Sequence, residues 1–539
     1  VEVLSGLGVG LNAVRAEVFR VKPQAALPAA AKHAGDAAAE KLTLRNAISA
    51  VSAHLAELSE KAGETSAEIF EALTMLLEDE DLFDTAAAEI EAGWNAGTAF
   101  IAAVDSLEEI FAGDDAFMER LVDLKDLAKR VAAHIAGVSL GLDLPSSGRF
   151  VIVGEDFSPA DTAQFTDAVV GVITIKGGPT SHTAIICRSK SIPAVVSCAQ
   201  AEGLLDGMEV LVDPVGDRVV VGGDDTMITK AISFVAKSLD PIIPVRANIG
   251  SLEDSIQAAT TAANGVGLFR TELLYLSENT VPSRQKQTKA YTEILSAAPE
   301  GPIVVRTIDA GSDKPVPFLH MPHEENPALG IRGYRLITDH RDFLVDQLVS
   351  LEAARVASGR EVWVMAPMIA TAQEALDFAE LARSSGSYKV GIMVETPSIA
   401  MALGDLSGKL DFISVGTNDL SQYLFAADRM NAGLGALLNP WQPALIRMLA
   451  KIAQDSEAAG VSSGVCGESA SDPAFAVVLA GLGFKSVSAS RSQVGAVRSA
   501  LSSVTLEQAQ QVAKVALSSN NAENCKAAVL DALAKIAQE

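Results

Sequence analysis

The sequence predicts a multidomain α/β protein, in which an α/β domain carries an inserted all-helical domain and is followed by a (β/α)8 barrel of the TIM type. Three observations predict it. From about Ala31 to Leu144 the chain is dominated by Ala, Leu and Glu and has few β-branched runs, a helical composition. Short apolar strand candidates with turn signals flank that block: AVRAEVFRV (Ala13–Val21) before it, and RFVIVGEDFSP, VVGVITIKGG, IPAVVS and MEVLVDPVGDRVVVGG after it. From about Val245 onward, apolar strand candidates recur between helical stretches, the alternation a βα barrel requires.

In chain order, the first strand candidate follows a glycine-rich start. In the helical block, Leu42, Ile48, Val51, Leu55 and Leu58 fall at the spacing of one helix face. The PSSG stretch (Pro145–Gly148) ends the block, and Met227 to Ser238 reads as a linker helix. The expected boundaries are 1–24 and 146–226 for the split α/β domain, 25–145 for the helical insertion, 227–244 for the linker helix and 245–539 for the barrel. The barrel strands are VRANIG, GVGLFRTE, IVVRTID, VWVMAPMI, VGIMVET, FISVGTND, SSGVCGES and KSVSAS, with ALGIRGYR after Pro327 added to the series.

At 539 residues, 49% of them apolar, the chain has ample material for several cores. Cys187, Cys198, Cys466 and Cys525 form no CxxC pair, which suits a reducing, cytoplasmic setting. The start has no basic-then-apolar signal pattern and no apolar run approaches ~18 residues, so neither export nor membrane insertion is expected. A net charge of −26 argues against nucleic acid. Acid is concentrated between Glu57 and Glu119, where 18 Asp and Glu meet a single Lys61. That is either a solvated face or a docking surface for a small basic protein.

The most informative segment is GGPTSHTAII (Gly177–Ile186). His182 follows two glycines, stands among the hydroxyls of Thr180, Ser181 and Thr183, and leads into an apolar run that reads as a helix start. Free backbone N–H groups there suit a phosphoryl group, and a histidine in that position can be a nucleophile that carries phosphate. The plain alternative is a buried, capped histidine.

In the barrel, polar residues recur at the far ends of the strand candidates, the face where barrel active sites lie. Arg270 follows VGLF, Arg306 follows IVV, Glu395 follows GIMV, Asn418 and Asp419 follow ISVGT, and Cys466 follows GV. With Lys314, Arg332, Arg335 and Arg429 they make a cationic set suited to a ligand bearing phosphate and carboxylate. Arg335 is discounted as pairing with local acids. Glu395 and Asp419 offer oxygen ligands for Mg²⁺ or are salt-bridge partners. Cys466 is a candidate proton donor or an inert buried thiol. Together these parts describe transfer of a phosphoryl group from a small phosphorylated carboxylate to His182, with an acid protonating the leaving enolate.

GGPTSHTAIICRSKSIPAVV resembles the phosphohistidine signature of the enzyme I family of the phosphoenolpyruvate-dependent sugar phosphotransferase system. GLFRTELLYL, VVRTIDAGSDKP, NPALGIRGYR, VGIMVETPSIA, DFISVGTNDLSQYLFAADR and VCGESASD are similar to its barrel motifs in order and spacing. MLLEDEDL (Met75–Leu82) and DLKDLAKR (Asp123–Arg130) resemble its helical insertion, which docks the phosphocarrier HPr. The resemblance implies that His182 is phosphorylated at Nε2 and that Cys466 protonates the enolate of pyruvate. It implies that Arg270, Arg306 and Arg429 hold phosphoenolpyruvate, with Asn418 and the Asp419 backbone assisting, and that Lys314 and Arg332 complete the phosphate cage. Glu395 and Asp419 would bind Mg²⁺, and the barrels would pair as a homodimer. Three departures stand out: GLGVGLN in place of the usual N-terminal turn, Gln442 where many members have histidine, and Pro179 in the histidine loop. The competing readings are a pyruvate phosphate dikinase or phosphoenolpyruvate synthase, which need a large ATP-binding region not seen here, and a non-catalytic regulatory homologue.

Overall fold

The structure, a computed structural model, describes the chain except for residues 1, 11, 22–28, 34, 62–72, 111–114, 139–141, 143, 146, 179–180, 191, 230–233, 235, 239, 276–277, 279, 312–315, 320–323, 430, 432–433 and 539. It falls into two compact units, Val1–Ala231 and Ile232–Glu539.

The first unit holds an eight-stranded sheet. Its strands are β1 (Glu2–Ser5), β2 (Leu7–Val9), β3 (Val14–Arg20), β4 (Phe150–Gly154), β5 (Val169–Thr174), β6 (Ala194–Val196), β7 (Glu209–Asp213) and β8 (Arg218–Val221), ordered β1-β8-β7-β3-β4-β5-β6-β2. Strands β3 to β6 run parallel and the outer pairs antiparallel. Alternate residues of β4 feed two cores, Phe150 and Ile152 on one face and Val151 and Val153 on the other, as a sheet covered on both faces requires. β1 and β2, in the glycine-rich start, were not foreseen. Gly8 marks the close approach that hides β2, since a Cβ there would lie 1.8 Å from the Pro214 carbonyl oxygen.

Between β3 and β4 run α1 (Ala37–Lys61), α2 (Glu80–Glu91), α3 (Ala96–Ile110) and α4 (Asp115–Ala136). Leu44, Ile48, Val51 and Leu55 of α1 bury against Ile90, Phe100, Val104 and Val131 of the other three. The expected face is therefore corrected at one end. Leu42 is 61% exposed because the buried stripe runs through Leu44, four residues before Ile48; the side chain of Leu58 lies outside the described residues. Arg130 of α4 ties this layer to the sheet domain through Asp161 at 2.8 Å and is steadied within its own helix by Asp126 at 2.6 Å. Burial acts to lower the pKa of its guanidinium, but the two carboxylates outweigh that and raise it.

The second unit is a closed barrel of eight parallel strands: β9 (Val245–Ile249), β10 (Val266–Arg270), β11 (Ile303–Arg306), β12 (Val362–Ala366), β13 (Lys389–Val394), β14 (Phe412–Val415), β15 (Ser462–Val465) and β16 (Ser486–Ala489). Register closes where Val487 meets Val245. The first eight strand candidates account for the whole barrel. ALGIRGYR is no strand: it forms two 3₁₀ turns, Pro327–Leu329 and Gly333–Leu336, with Gly333 at φ +57°. The linker helix is also corrected. A 3₁₀ turn spans Asp225–Met227, and the described residues between Ile228 and Pro244 contain no helix.

Candidate active site

The candidate site residues form two sets, one in each unit. In the first, helix α5 begins at His182 and ends at Ser189. Ser181 caps it, its hydroxyl accepting the Ala184 N–H at 3.3 Å, and the Ser181 N–H donates to Gly178 O at 3.0 Å. Gly177 sits at φ +81°, where a Cβ would come within 2.8 Å of Asp156 Oδ2. Ser197, itself at φ +54°, donates its hydroxyl to Gly177 O from the next strand end. The loop before His182 is thus held from two sides, and the first-turn N–H groups of α5 have no acceptor within the helix.

The hydroxyls do not all act as expected. Thr183 is fully buried and committed to Asp156, at 2.7 Å from Oδ1, and to Phe157, so it fixes the loop and cannot face an anion. Ser181 serves as the cap. Pro179, Thr180 and the imidazole of His182 lie outside the described residues.

In the barrel, Arg270 and Arg306 are the last residues of neighbouring strands and pair in register. Glu395 follows β13 and Cys466 follows β15. Asn418 and Asp419 lie in the first turn of the helix Thr417–Phe425, directly after β14. All open onto the C-terminal end of the barrel. Lys314 lies outside the described residues.

The arginines are held by acids, of which the sequence reading singled out Asp419 but missed Glu272 and Asp309. Arg306 pairs with Glu272 and, at 2.9 Å, with Asp309. Arg332 bridges Asp309 at 3.2 Å and Asp419 at 3.0 Å, and Arg429 reaches Asp419 at 3.5 Å. Glu272 and Asp309 stand two and three residues after the strand-end arginines of FRTE and RTID, so the signal was in the motifs. Arg335 is corrected in the opposite sense. Its guanidinium donates to the carbonyls of Leu329 and Gly330, at 3.1 and 2.8 Å, not to acids. Gln442 stands before the helix Pro443–Ala458 and donates to Ala436 O at 3.0 Å.

Four buried carboxylates, Glu272, Asp309, Glu395 and Asp419, face two buried guanidiniums, Arg306 and Arg332, so the interior of the site carries an excess of acid. Arg429 is part-exposed and Arg270 exposed, so these two offer charge at the rim. Burial acts to lower the pKa of Arg306, but Asp309, Glu272, Glu395 and Asp419 outweigh it and hold it firmly protonated. Its Nε is buried without a partner.

Glu395 is fully buried. Its Oε1 accepts the Met368 N–H at 2.6 Å, which holds Met368 at φ +56°, a strained conformation for a side chain of that size. Its Oε2 is buried without a partner and faces Gly416, where a Cβ would come within 2.8 Å. Burial, then Asp419 and Asp309, push the Glu395 carboxyl up to about 7 against the pull of Arg306 and Arg332. Burial pushes the Cys466 thiol up to about 11, opposed by a hydrogen bond with Ser414, so it is a protonated thiol at neutral pH. Its Sγ lies 3.6 Å from Val415 O. Among the described residues no group of three or more His, Cys, Asp or Glu forms a ready-made metal cage.

A second layer aligns the strand ends. Fully buried Gln347 accepts the Ile308 N–H at 3.0 Å and donates to Thr271 Oγ1 and Tyr291 OH, each at 3.1 Å. Thr271 in turn donates to Arg306 O at 2.8 Å. One side chain therefore clamps the segments after β10 and β11.

Comparison with known proteins follows the same division. The chain matches three family models: PEP-utilising enzyme, N-terminal, over residues 2–120; PEP-utilising enzyme, mobile domain, over 147–215; and PEP-utilising enzyme, PEP-binding domain, over 232–506. It is 38% identical to a phosphoenolpyruvate-protein phosphotransferase of Streptomyces coelicolor, over 97% of this chain and 98% of the relative. It is 32% identical to the enzyme of that name from Bacillus subtilis, over 98% and 99%. A multiphosphoryl transfer protein of Xanthomonas campestris is 34% identical over 87% of this chain and 59% of the relative. The strand-end constellation and these full-length likenesses agree: the chain belongs to the phosphoenolpyruvate-protein phosphotransferases, PEP-utilising enzymes that pass a phosphoryl group from phosphoenolpyruvate to protein.

Proposed function

We propose that this chain acts as enzyme I of a sugar phosphotransferase system, phosphorylating His182 from phosphoenolpyruvate and passing the group to a histidine of HPr. The observation that carries this reading is the convergence of Arg270, Arg306, Glu395, Asn418, Asp419 and Cys466 at the C-terminal mouth of one barrel.

In this account Arg270 and Arg429, the two accessible guanidiniums, take the first hold on the anionic substrate. Arg306, Arg332 and Lys314 complete the phosphate cage, and Asn418 with the Asp419 backbone orients the carboxylate. The bridging phosphate oxygen of phosphoenolpyruvate leaves with the P–O electron pair while His182 Nε2 forms the new N–P bond. Cys466 gives its thiol proton to the methylene carbon of the enolate. Pyruvate departs, and the thiolate takes a proton from solvent. The high pKa of Cys466 suits an acid that keeps its proton until a strongly basic carbon is beside it.

Glu395 and Asp419 would hold Mg²⁺, which fits the unpartnered Glu395 Oε2 and the acid excess around it. When bound, the ion neutralises phosphate charge, and two carboxylates leave positions for substrate oxygens and water. Residues 1–24 and 146–226 then form the phosphohistidine domain, 25–145 the HPr-binding insertion and 245–539 the substrate-binding and dimerisation domain. Arg130 has a different role from HPr contact, since Asp126, Asp161 and Ser158 occupy its guanidinium. No helix among the described residues is long and apolar enough to cross a membrane, and a cytoplasmic homodimer fits the reducing environment that the free cysteines need.

The test is single-turnover transfer. Enzyme phosphorylated by phosphoenolpyruvate, freed of substrate and mixed with HPr should lose its phosphoryl group to the HPr histidine. Retention of the group by the enzyme would reject HPr as acceptor.

A further inference from the structure

Strand β9 alternates between two surroundings. Val245, Ala247 and Ile249 pack in the core shared with the outer helices, so Arg246 and Asn248 point into the barrel. Asn248 is the member nearer the C-terminal mouth, and the reaction proposed above gives it no part. Its side chain is half-buried and bonds to two residues distant in sequence. Nδ2 donates to the backbone carbonyl of Cys466 at 3.3 Å, and Oδ1 accepts the Ser488 hydroxyl at 2.6 Å. A carbonyl oxygen can only accept, so the atom facing Cys466 must be the amide nitrogen, which settles the amide's orientation. Ser488, buried on β16, then locks the amide in place.

Two peptide planes meet at the Cys466 Cα, and together they fix where its side chain points. The plane before it is held by β14, because the Cys466 N–H donates to Val415 O at 3.0 Å. The plane after it carries the carbonyl that Asn248 grips. Gly467 follows, packed so close to Thr417 that a Cβ would collide with the Thr417 hydroxyl. Next comes Glu468, whose N–H donates to Asn418 Oδ1 at 3.1 Å. The thiol itself has little to aim it. It clusters with apolar side chains of the barrel interior, Met365, Met393 and Phe412 among them, and its bond to Val415 O, at 3.6 Å, is a weak one. Its direction must therefore come from the backbone.

We propose that Asn248 is a positioning residue for the protonation step: by holding the Cys466 carbonyl it aims the thiol at one face of the enolate's methylene carbon. This rests on Cys466 being the acid of the reaction proposed above. A thiol swung out of line by about 1 Å would deliver its proton about a hundredfold more slowly. Water would then protonate the enolate from either face.

The test uses the full chain, Mg²⁺ and phosphoenolpyruvate carrying one deuterium at C3. It is turned over once in tritiated water, with the pyruvate trapped as lactate. A proton delivered to one face leaves a methyl group of single handedness. Asn248→Leu removes both hydrogen bonds at nearly constant volume, whereas Asn248→Asp keeps the acceptor for Ser488 and loses only the donor to Cys466. Both should slow pyruvate formation about tenfold to a hundredfold and give methyl groups of mixed handedness. Asn248→Asp, the closer match in shape, carries the test if the leucine variant folds poorly. Single handedness in the Asn248 variants, even at a reduced rate, would overturn the proposal and leave Asn248 a purely structural residue. Cys466→Ala separates this failure from that of the reading beneath it. Mixed handedness there would uphold Cys466 as the acid, and single handedness there would reject the acid and the positioning role together.

Discussion

Replacing Gln347 by leucine should loosen the two strand ends that carry Arg270 and Arg306 while leaving side-chain volume nearly unchanged. The Ile308 N–H, in a buried segment, loses its Gln347 acceptor, at about 1–3 kcal/mol. Thr271 keeps Arg306 O and Tyr291 keeps the Tyr275 hydroxyl, so losing the two donated bonds costs about 0.5–1.5 kcal/mol each. Burying the leucine offsets roughly 1 kcal/mol, which leaves a net loss of about 1–5 kcal/mol. Denaturant unfolding should show that loss as a lower midpoint at unchanged m. Because the clamp spans both arginine-bearing segments, kcat/KM for phosphoenolpyruvate should fall about tenfold to a hundredfold at temperatures where the variant is fully folded. Transfer from already phosphorylated enzyme to HPr should be unaffected, since that step does not use the barrel. A stability loss of the expected size with unchanged phosphoenolpyruvate kinetics would refute the positioning argument and leave Gln347 a packing residue.

Cys466→Ala should slow pyruvate formation far more than transfer from phosphorylated enzyme to HPr, and equal slowing of both would reject its acid role. With its thiol pushed up to about 11, wild-type Cys466 should resist alkylation near pH 8 and react only in strongly alkaline solution. Glu395, raised in the fold to about 7 from an ordinary 4.5, favours its protonated form. Its contribution to metal-free stability should therefore be complete below about pH 4.5 and lost as pH rises through about 7, read as a falling denaturation midpoint. Glu78→Lys with Asp81→Lys should weaken HPr docking, chiefly at low salt, while sparing Asp79, which caps α2, and Glu80, which pairs with Arg45 at 3.2 Å. Binding indifferent to both charge and salt would leave the acidic segment a solvated face.

Legibility followed the range of the physical signal. Each barrel strand announces itself as a short apolar run, and a barrel places every strand's C-terminal end on one face, so the positions of Arg270, Arg306, Glu395, Asn418, Asp419 and Cys466 could be read without coordinates. The cap at Ser181 and the helix start at His182 are local too. What escaped depends on partners distant in sequence. Arg332 meets Asp419 across 87 positions, and Gln347 meets Thr271 across 76. That Arg332 is tied to Asp419 is therefore invisible in its own motif. Thr183 was read as an anion donor because its tie to Asp156 spans 27 positions. β2 escaped because its Gly8 answers to Pro214, on the far side of the helical insertion. Leu42 was assigned to the core on spacing alone, yet Leu44 continues the 48, 51, 55 stripe more regularly.

The central claim, that His182 takes its phosphoryl group from phosphoenolpyruvate, is tested most directly by intact-protein mass. Wild type and His182→Ala are incubated with Mg²⁺ and either phosphoenolpyruvate or ATP. The account predicts one acid-labile phosphoryl adduct on wild type, from phosphoenolpyruvate only, and none on His182→Ala. An adduct from ATP, or one that persists in His182→Ala, would contradict it.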